Sequence, residues 1–335
     1  MHFSILNYSI KKGNLSKLLE RLKKDYEIIV PVKYGPDYNF QVINSEALDL
    51  SEYINTRFSP KEFFLPNPEI LFAFNKNGKV KILSRINRKK RLIFGMRPCD
   101  VNGLLVLDKI LIDDYPDPFY KYRRENTVII SLNCNKTGKY CFCESLDTDT
   151  VKDGADLIFT DSKSEYLVEV GSIVGEKIVN KNKDLFKVIH KKIERPKLKF
   201  KRKINTETLV EDMITGINNK IWEKEADKCI SCAACTIVCP TCYCYDVQDV
   251  TSMSGKEGER IKKWNFCMLL NFTRVAGNMI FRADRTERLK QFLYHKLCYL
   301  KQSDNIFLCV GCGRCIQSCI VAIDLTKIAN RLKKK

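Results

Sequence analysis

The sequence predicts an α/β domain over residues 1–195, followed by an all-α domain over residues 206–335. Apolar strands alternate with helical segments in the first half. Helical spacing prevails after the basic stretch Glu-Arg-Pro-Lys-Leu-Lys-Phe-Lys-Arg. Because this stretch combines a proline with a run of positive charge, the linker is placed at residues 196–205. A chain of 335 residues is long enough for two domains that each have a core.

The elements of the first half follow the order of strand–helix–strand units. Leucines at helical spacing predict a helix over residues 15–26, and the next apolar run predicts a strand over 28–32. Buried strands are predicted over residues 91–96 and 127–132, with a helix over 101–112 between them. In the second half, helices are predicted over residues 206–223, 285–300 and 321–332.

The cysteines indicate the chemistry of the second half. Two runs share the spacing C-x2-C-x2-C-x3-C of two-cluster ferredoxins, in which the fourth cysteine of each run ligates the other cluster. The predicted ligand sets are Cys229, Cys232 and Cys235 with Cys319, and Cys309, Cys312 and Cys315 with Cys239. A zinc site would typically use two separated C-x2-C pairs, whereas here each run alone supplies four thiols. The sequence therefore predicts two [4Fe–4S] clusters in an α-helical, ferredoxin-like domain.

Four further cysteines lie at the ends of predicted strands in the first half. They are Cys99, Cys134, Cys141 and Cys143. Strand ends on one side of a parallel sheet converge in space, so these thiols are expected to meet. A third [4Fe–4S] cluster is the favoured interpretation. A zinc site and plain apolar packing of buried cysteines are the alternatives.

The remaining candidate residues receive structural roles. The thiols of Cys242, Cys244 and Cys267 are expected to pack beside the clusters, and Cys298 is expected in a helix core. Asp100 is interpreted as a helix N-cap before Val101 rather than as a catalytic carboxylate. The three histidines, His2, His190 and His295, are interpreted as surface or helix residues. Neither a phosphate-binding loop nor a dinucleotide fingerprint occurs in the sequence, so no catalytic residue is assigned.

Composition restricts the compartment and the partners. Sixteen cysteines would suit a disulfide framework in a secreted protein, but no signal-peptide pattern is evident at the start. No apolar run reaches the roughly 20 residues of a membrane helix, and a cytoplasmic, anaerobic setting is expected. The formal charge is +18, and each cubane with four thiolates would contribute about −2. Without a nucleic-acid-binding motif, the remaining positive charge is expected to steer acidic redox partners.

The chain resembles the beta subunit of soluble sulfhydrogenase-type [NiFe] hydrogenases, a family related to an iron–sulfur component of anaerobic sulfite reductase. The resemblance runs through most of the chain and includes Ile93-Phe94-Gly95, Cys99-Asp100, Tyr140-Cys141-Phe142-Cys143 and Cys239-Pro240-Thr241-Cys242-Tyr243-Cys244-Tyr245. It supports the third cluster, because the family carries cysteines at the four first-half positions. One departure is Ile320, which stands where a proline usually follows the last cysteine.

This resemblance implies a non-catalytic electron-transfer subunit of an oxidoreductase complex. Such a subunit relays electrons between a flavin- and NAD(P)-binding partner and a catalytic subunit, with ferredoxin as a further candidate partner. The catalytic subunit would be a [NiFe] hydrogenase module or, as the alternative, a sirohaem sulfite reductase. Two other functions stay open at this point. They are a self-sufficient reductase with its own flavin or substrate pocket, and a zinc-stabilised interaction protein.

Overall fold

The computed structural model describes residues 7–43, 48–75, 81–84, 89–190 and 192–332. The strands are β1 (Asn7–Lys11), β2 (Glu27–Tyr34), β3 (Asp37–Val42), β4 (Glu69–Asn75), β5 (Lys81–Ser84), β6 (Arg91–Met96), β7 (Thr127–Leu132), β8 (Leu157–Ser162), β9 (Glu165–Val170), β10 (Phe186–Ile189), β11 (Tyr245–Thr251) and β12 (Glu257–Trp264). The helices are α1 (Leu15–Leu22), α2 (Pro98–Asp108), α3 (Pro118–Glu125), α4 (Ile173–Lys181), α5 (Leu209–Thr215), α6 (Ile221–Ala226), α7 (Ala234–Ile237), α8 (Arg285–Tyr294), α9 (Leu300–Asp304), α10 (Arg314–Gln317) and α11 (Leu325–Arg331).

An eight-stranded mixed sheet organises the first half, in the order β10-β1-β9-β8-β7-β6-β2-β3. Its four central strands, β2, β6, β7 and β8, run parallel to one another. The outer strands pair antiparallel with their neighbours. Parallel strands need both faces covered, and helices supply that cover here. The first half is therefore an α/β region with antiparallel edges.

Alternate residues of the central strands enter two separate cores. Ile28 and Val30 of β2 lie in the core on one face, whereas Ile29 lies in the core on the other. Side chains point to opposite faces at successive positions, so a strand that is apolar throughout is buried on both sides. The predicted strands at residues 91–96 and 127–132 coincide with β6 and β7.

A smaller antiparallel sheet joins the two halves of the chain. It has the order β11-β12-β4-β5, so strands of the first half pair with a hairpin between the two cysteine runs. The prediction of an all-α second domain is therefore wrong for residues 245–264. The helical pattern of the remaining segments concealed this hairpin, because its strands carry charged residues and lie largely exposed.

Helix boundaries differ from prediction where backbone chemistry intervenes. The helix predicted over residues 206–223 is divided into α5 and α6, and α5 ends at Gly216. Residues 285–300 are helical throughout, through α8 and a π-helical turn, His295–Tyr299, that leads into α9. Within the described residues, no helix is long and apolar enough to cross a membrane.

Candidate metal centres

The first cysteine run lines a cavity that we call site 1. Its cysteines are Cys229, Cys232, Cys235 and Cys319, together with Cys315. The other lining side chains are apolar, and they include Met268, Leu289 and Phe292. The structure thus brings together the four cysteines that the sequence assigns to the first cluster. One of them, Cys232, is exposed at the surface.

The second cysteine run lines another cavity, site 2. Its cysteines are Cys239, Cys309, Cys312 and Cys315, which is the second predicted set. Phe142, Phe292 and Leu325 contribute apolar surface to the lining. Lys296 also lines this cavity and is the one charged side chain among its lining residues. Site 2 therefore differs from site 1 in the charge that borders it.

The two cysteine loops have the same backbone conformation. Left-handed residues occupy equivalent positions, Ser231 and Ala233 in the first loop and Gly311 and Gly313 in the second. A short helix follows each, α7 and α10, and carries the third cysteine of its run. Such loops turn backbone N–H groups toward the sulfurs, as the N–H of Ser231 donates to Cys229 Sγ and that of Gly311 to Cys309 Sγ, both at 3.4 Å. These donors suit thiolate ligands of a cluster.

A third cavity, site 3, collects the four first-half cysteines. It is lined by Cys99, Cys134, Cys141 and Cys143, with Arg97, Lys136, Asp149 and Phe200 among their neighbours. Cys99 lies at the start of α2, immediately after β6, and Cys134 follows β7. Adjacent parallel strands thus deliver two of the thiols to one edge of the sheet, as expected.

Burial governs the protonation of the site 3 thiols. It raises the pKa of Cys141 to about 11 and raises the pKa of Cys99 and Cys134 as well. These thiols are therefore neutral at pH 7 in the protein without a metal. Thiolates are the form that binds metal, so loading this site would release protons.

The second cysteine loop packs directly against site 3. The Phe142 N–H donates to the Gly311 carbonyl oxygen at 2.8 Å, and Thr148 Oγ1 donates to the Val310 carbonyl oxygen at 2.9 Å. A Cβ atom at Gly311 would lie 2.6 Å from the backbone nitrogen of Cys143. The side chains of Cys99, Cys143, Val310 and Cys312 form one buried cluster. Sites 2 and 3 therefore share a wall.

A buried ion pair reinforces that wall. Arg314, on α10, binds Asp100 through both carboxylate oxygens, at 2.7 and 2.9 Å. Its remaining donors go to the backbone oxygen and the hydroxyl of Thr56, so the guanidinium group is well satisfied. Asp100 therefore does not serve as the N-cap that the sequence suggested, because α2 begins at Pro98 and its N-cap is Arg97. The partners are 214 positions apart, which hides the pair from local sequence patterns.

Two buried lysines near site 2 were also missed by sequence reasoning. Lys296 Nζ donates to Thr241 Oγ1 at 2.9 Å, and that oxygen lies 3.4 Å from Cys239 Sγ. Lys61 Nζ donates to the carbonyl oxygens of Thr236 and Cys242, at 3.2 and 3.0 Å. Burial acts to lower the pKa of Lys296, but the adjacent sulfurs outweigh it and the pKa is raised. The only sequence signal for either residue is a lysine within an otherwise apolar or aromatic segment.

The other cysteines and histidines lie around the sites or in the core. Cys242 and Cys267 are buried in the core that surrounds sites 1 and 2, and half-buried Cys244 packs against it. Cys298 is buried in the same core, as predicted. His190 is exposed, whereas burial lowers the pKa of His295 to about 4. His2 lies outside the described residues.

The cavities suit a multi-atom cluster better than a single ion. Among the residues that the structure describes, no group of three or more His, Cys, Asp or Glu side chains could hold one metal ion. Each site instead offers four cysteines around a cavity with an apolar lining. Four thiolates at the corners of a cubane are the ligand set of a [4Fe–4S] cluster. The residues present therefore fit such a group at each site.

The fold and the cysteine loops define the protein class as an iron–sulfur electron-transfer protein. A family model described as a 4Fe-4S dicluster domain matches residues 228–323, which include both cysteine runs. The chain is also 34% identical to sulfhydrogenase 2 subunit beta of Pyrococcus furiosus over 327 residues, covering 95% of this chain and 96% of that protein. It belongs to the family of sulfhydrogenase beta subunits. The predicted resemblance is thereby confirmed, and so is the presence of [4Fe–4S] clusters.

Proposed function

We propose that the chain holds three [4Fe–4S] clusters and relays electrons through them within a cytoplasmic oxidoreductase complex. Cys229, Cys232, Cys235 and Cys319 would ligate the first cluster. Cys239, Cys309, Cys312 and Cys315 would ligate the second. Cys99, Cys134, Cys141 and Cys143 would ligate the third. A bound [4Fe–4S] cluster supplies one-electron redox chemistry.

The observation that carries the relay is the shared wall between sites 2 and 3. Cys312 lies in one buried cluster with Cys99 and Cys143, and the Cys141 Sγ lies 3.7 Å from the Cys312 carbonyl oxygen. On its other side, site 2 is joined to site 1, because each cysteine run contributes to both cavities. Site 2 thus lies between site 1 and site 3, which is the order a linear relay needs.

The two ends of this relay are suited to two partners. At site 1, exposed Cys232 is flanked in sequence by Ile230, and Ile320 follows Cys319. These isoleucines are 55% and 75% exposed, more than a protein surface normally leaves beside a buried cavity. At site 3, Cys134 and Cys141 are only partly buried. We infer that one end faces a flavin- and NAD(P)-binding partner, whereas the other faces a catalytic partner, most simply a [NiFe] hydrogenase module.

Iron and acid-labile sulfide counts on anaerobically purified protein test the cluster number. Three clusters correspond to about twelve iron atoms per chain and two clusters to about eight. The Cys99→Ser variant should lose roughly four irons, whereas the matched Cys298→Ser variant, in the helix core, should lose none. Eight irons in the unaltered chain, or an unchanged count in Cys99→Ser, would refute the third cluster.

Subunits that co-purify with the chain test the proposed context. A nickel-containing large subunit would support the hydrogenase module, whereas a sirohaem protein would indicate the sulfite reductase alternative. A yellow monomer that turns over a substrate without partners would instead show a self-sufficient reductase and contradict the relay.

A further inference from the structure

Two lysines are fully buried beside site 2 without a carboxylate partner. Lys61 and Lys296 are only 1% and 3% exposed. Their hydrogen bonds go to two backbone oxygens and one threonine hydroxyl, and within the described ranges neither forms an ion pair with Asp or Glu. A buried ammonium group is costly unless an opposite charge compensates it. The protein part of the structure supplies no such charge to either lysine.

The missing negative charge can come from site 2. Lys296 lines that cavity directly, whereas Lys61 lies behind Cys242 and does not line it. Thr241 Oγ1 donates to the Leu308 carbonyl oxygen at 2.6 Å and accepts from Lys296, so the ammonium group is held in place. A cubane with four thiolates carries about −2 when oxidised and gains one more negative charge on reduction. That ligand charge would compensate both lysines.

We propose that Lys296 is a redox-tuning residue, a fixed counter-charge that raises the reduction potential measured at site 2 above that at site 1. This inference rests on the proposed clusters. One electron enters the site and no proton needs to follow, because the ammonium group is already charged. A fixed positive charge stabilises the more negative, reduced state more than the oxidised state, so reduction becomes easier.

The linings of the three cavities support this difference. Site 1 has no charged side chain among its lining residues. Site 3 is bordered by Arg97, Lys136 and Asp149, so both signs are present there. Site 2 alone combines one buried positive side chain with no negative one. An electron would therefore be held most favourably at the middle of the relay.

Redox titration of the cluster-loaded chain, monitored by EPR, tests the proposal. In Lys296→Met, the ratio of reduced to oxidised clusters at site 2 should fall at least about tenfold at a fixed potential, a shift of about 59 mV for one electron. Lys296→Arg should keep most of the potential, and Lys61→Met should give a smaller shift. The site 2 signal is the one that Cys239→Ser alters. An unshifted potential in Lys296→Met with full iron content would overturn the proposal.

The variants also separate tuning from folding. Methionine leaves no unsatisfied group behind, because Thr241 still donates to Leu308. If Lys296→Met and Lys296→Gln both lose iron while Lys296→Arg retains it, the counter-charge role is supported. Iron loss in all three variants would show a packing role and overturn the proposal. A site 2 without iron in the unaltered chain would refute the cluster assignment itself, which is a different failure from an unshifted potential.

Discussion

The two cysteine loops share a spacing and a backbone but have different surroundings. In the first loop, Ser231 and Ala233 adopt left-handed conformations, and Cys232 is exposed. In the second loop, glycines occupy the equivalent positions and Cys312 is buried. The glycines are needed because site 3 lies against that loop, so any side chain would collide with the backbone of residues 140–143. One motif thus forms a surface-facing centre at site 1 and an enclosed one at site 2.

The largest predicted effect comes from giving the second loop the residue that the first loop carries. In Gly311→Ser, the added Cβ would lie 2.6 Å from the Cys143 backbone nitrogen. We expect loss of most iron from sites 2 and 3 and a fall of about 3 kcal/mol in the free energy of unfolding. Iron analysis and denaturant unfolding measure both quantities. The reciprocal Ser231→Gly variant should retain its iron, and equal loss in the two variants would show that the loops do not differ.

The ion pair between the second loop and site 3 ranks next. Replacing Arg314 by Leu leaves Asp100 buried without its partner, which should cost about 3–5 kcal/mol. The double variant Arg314→Leu/Asp100→Leu should recover part of this loss, because no unpaired charge remains. Chemical denaturation of the two variants measures the coupling. Equal stability of the single and double variants would show that the pair contributes only packing.

Chelation should separate the two centres by accessibility. A strong iron chelator added to reduced protein should remove about four irons in a first phase, from site 1, because Cys232 is exposed and Cys312 is buried. The rate is followed by absorbance of the iron–chelator complex. Cys99→Ser protein, which should lack the third cluster, should show a first phase of the same size. Simultaneous release from all sites would remove the predicted difference.

The smallest effect concerns the residue after each last cysteine. Pro240 follows Cys239 in the first run, whereas Ile320 follows Cys319 and is 75% exposed. Both positions lie in the same turn after a short helix. Ile320→Pro should therefore be tolerated and should stabilise the protein by roughly 0.4–1 kcal/mol through the unfolded state. Thermal unfolding would detect it, and a clear loss of stability would show that the two turns differ.

Local patterns in the sequence predicted much of the fold but little of the contact between its halves. Central strands such as β6 and β7 are apolar throughout, and the regular cysteine spacing predicted which thiols meet at sites 1 and 2. The ligand assignments themselves stay predictions. The hairpin β11–β12 escaped because its exposed strands have no apolar periodicity. The partners of Asp100, Lys61 and Lys296 escaped because the chain brings them together across long sequence separations.

EPR of the fully reduced protein tests most directly whether site 2 lies between the other two. Site 3 is removed by Cys134→Ser, which spares the central site. We predict that the site 2 signal then loses one of its two magnetic interactions, while the site 1 signal is unchanged. A changed site 1 signal with an unchanged site 2 signal would place sites 1 and 3 next to each other and contradict the proposed relay.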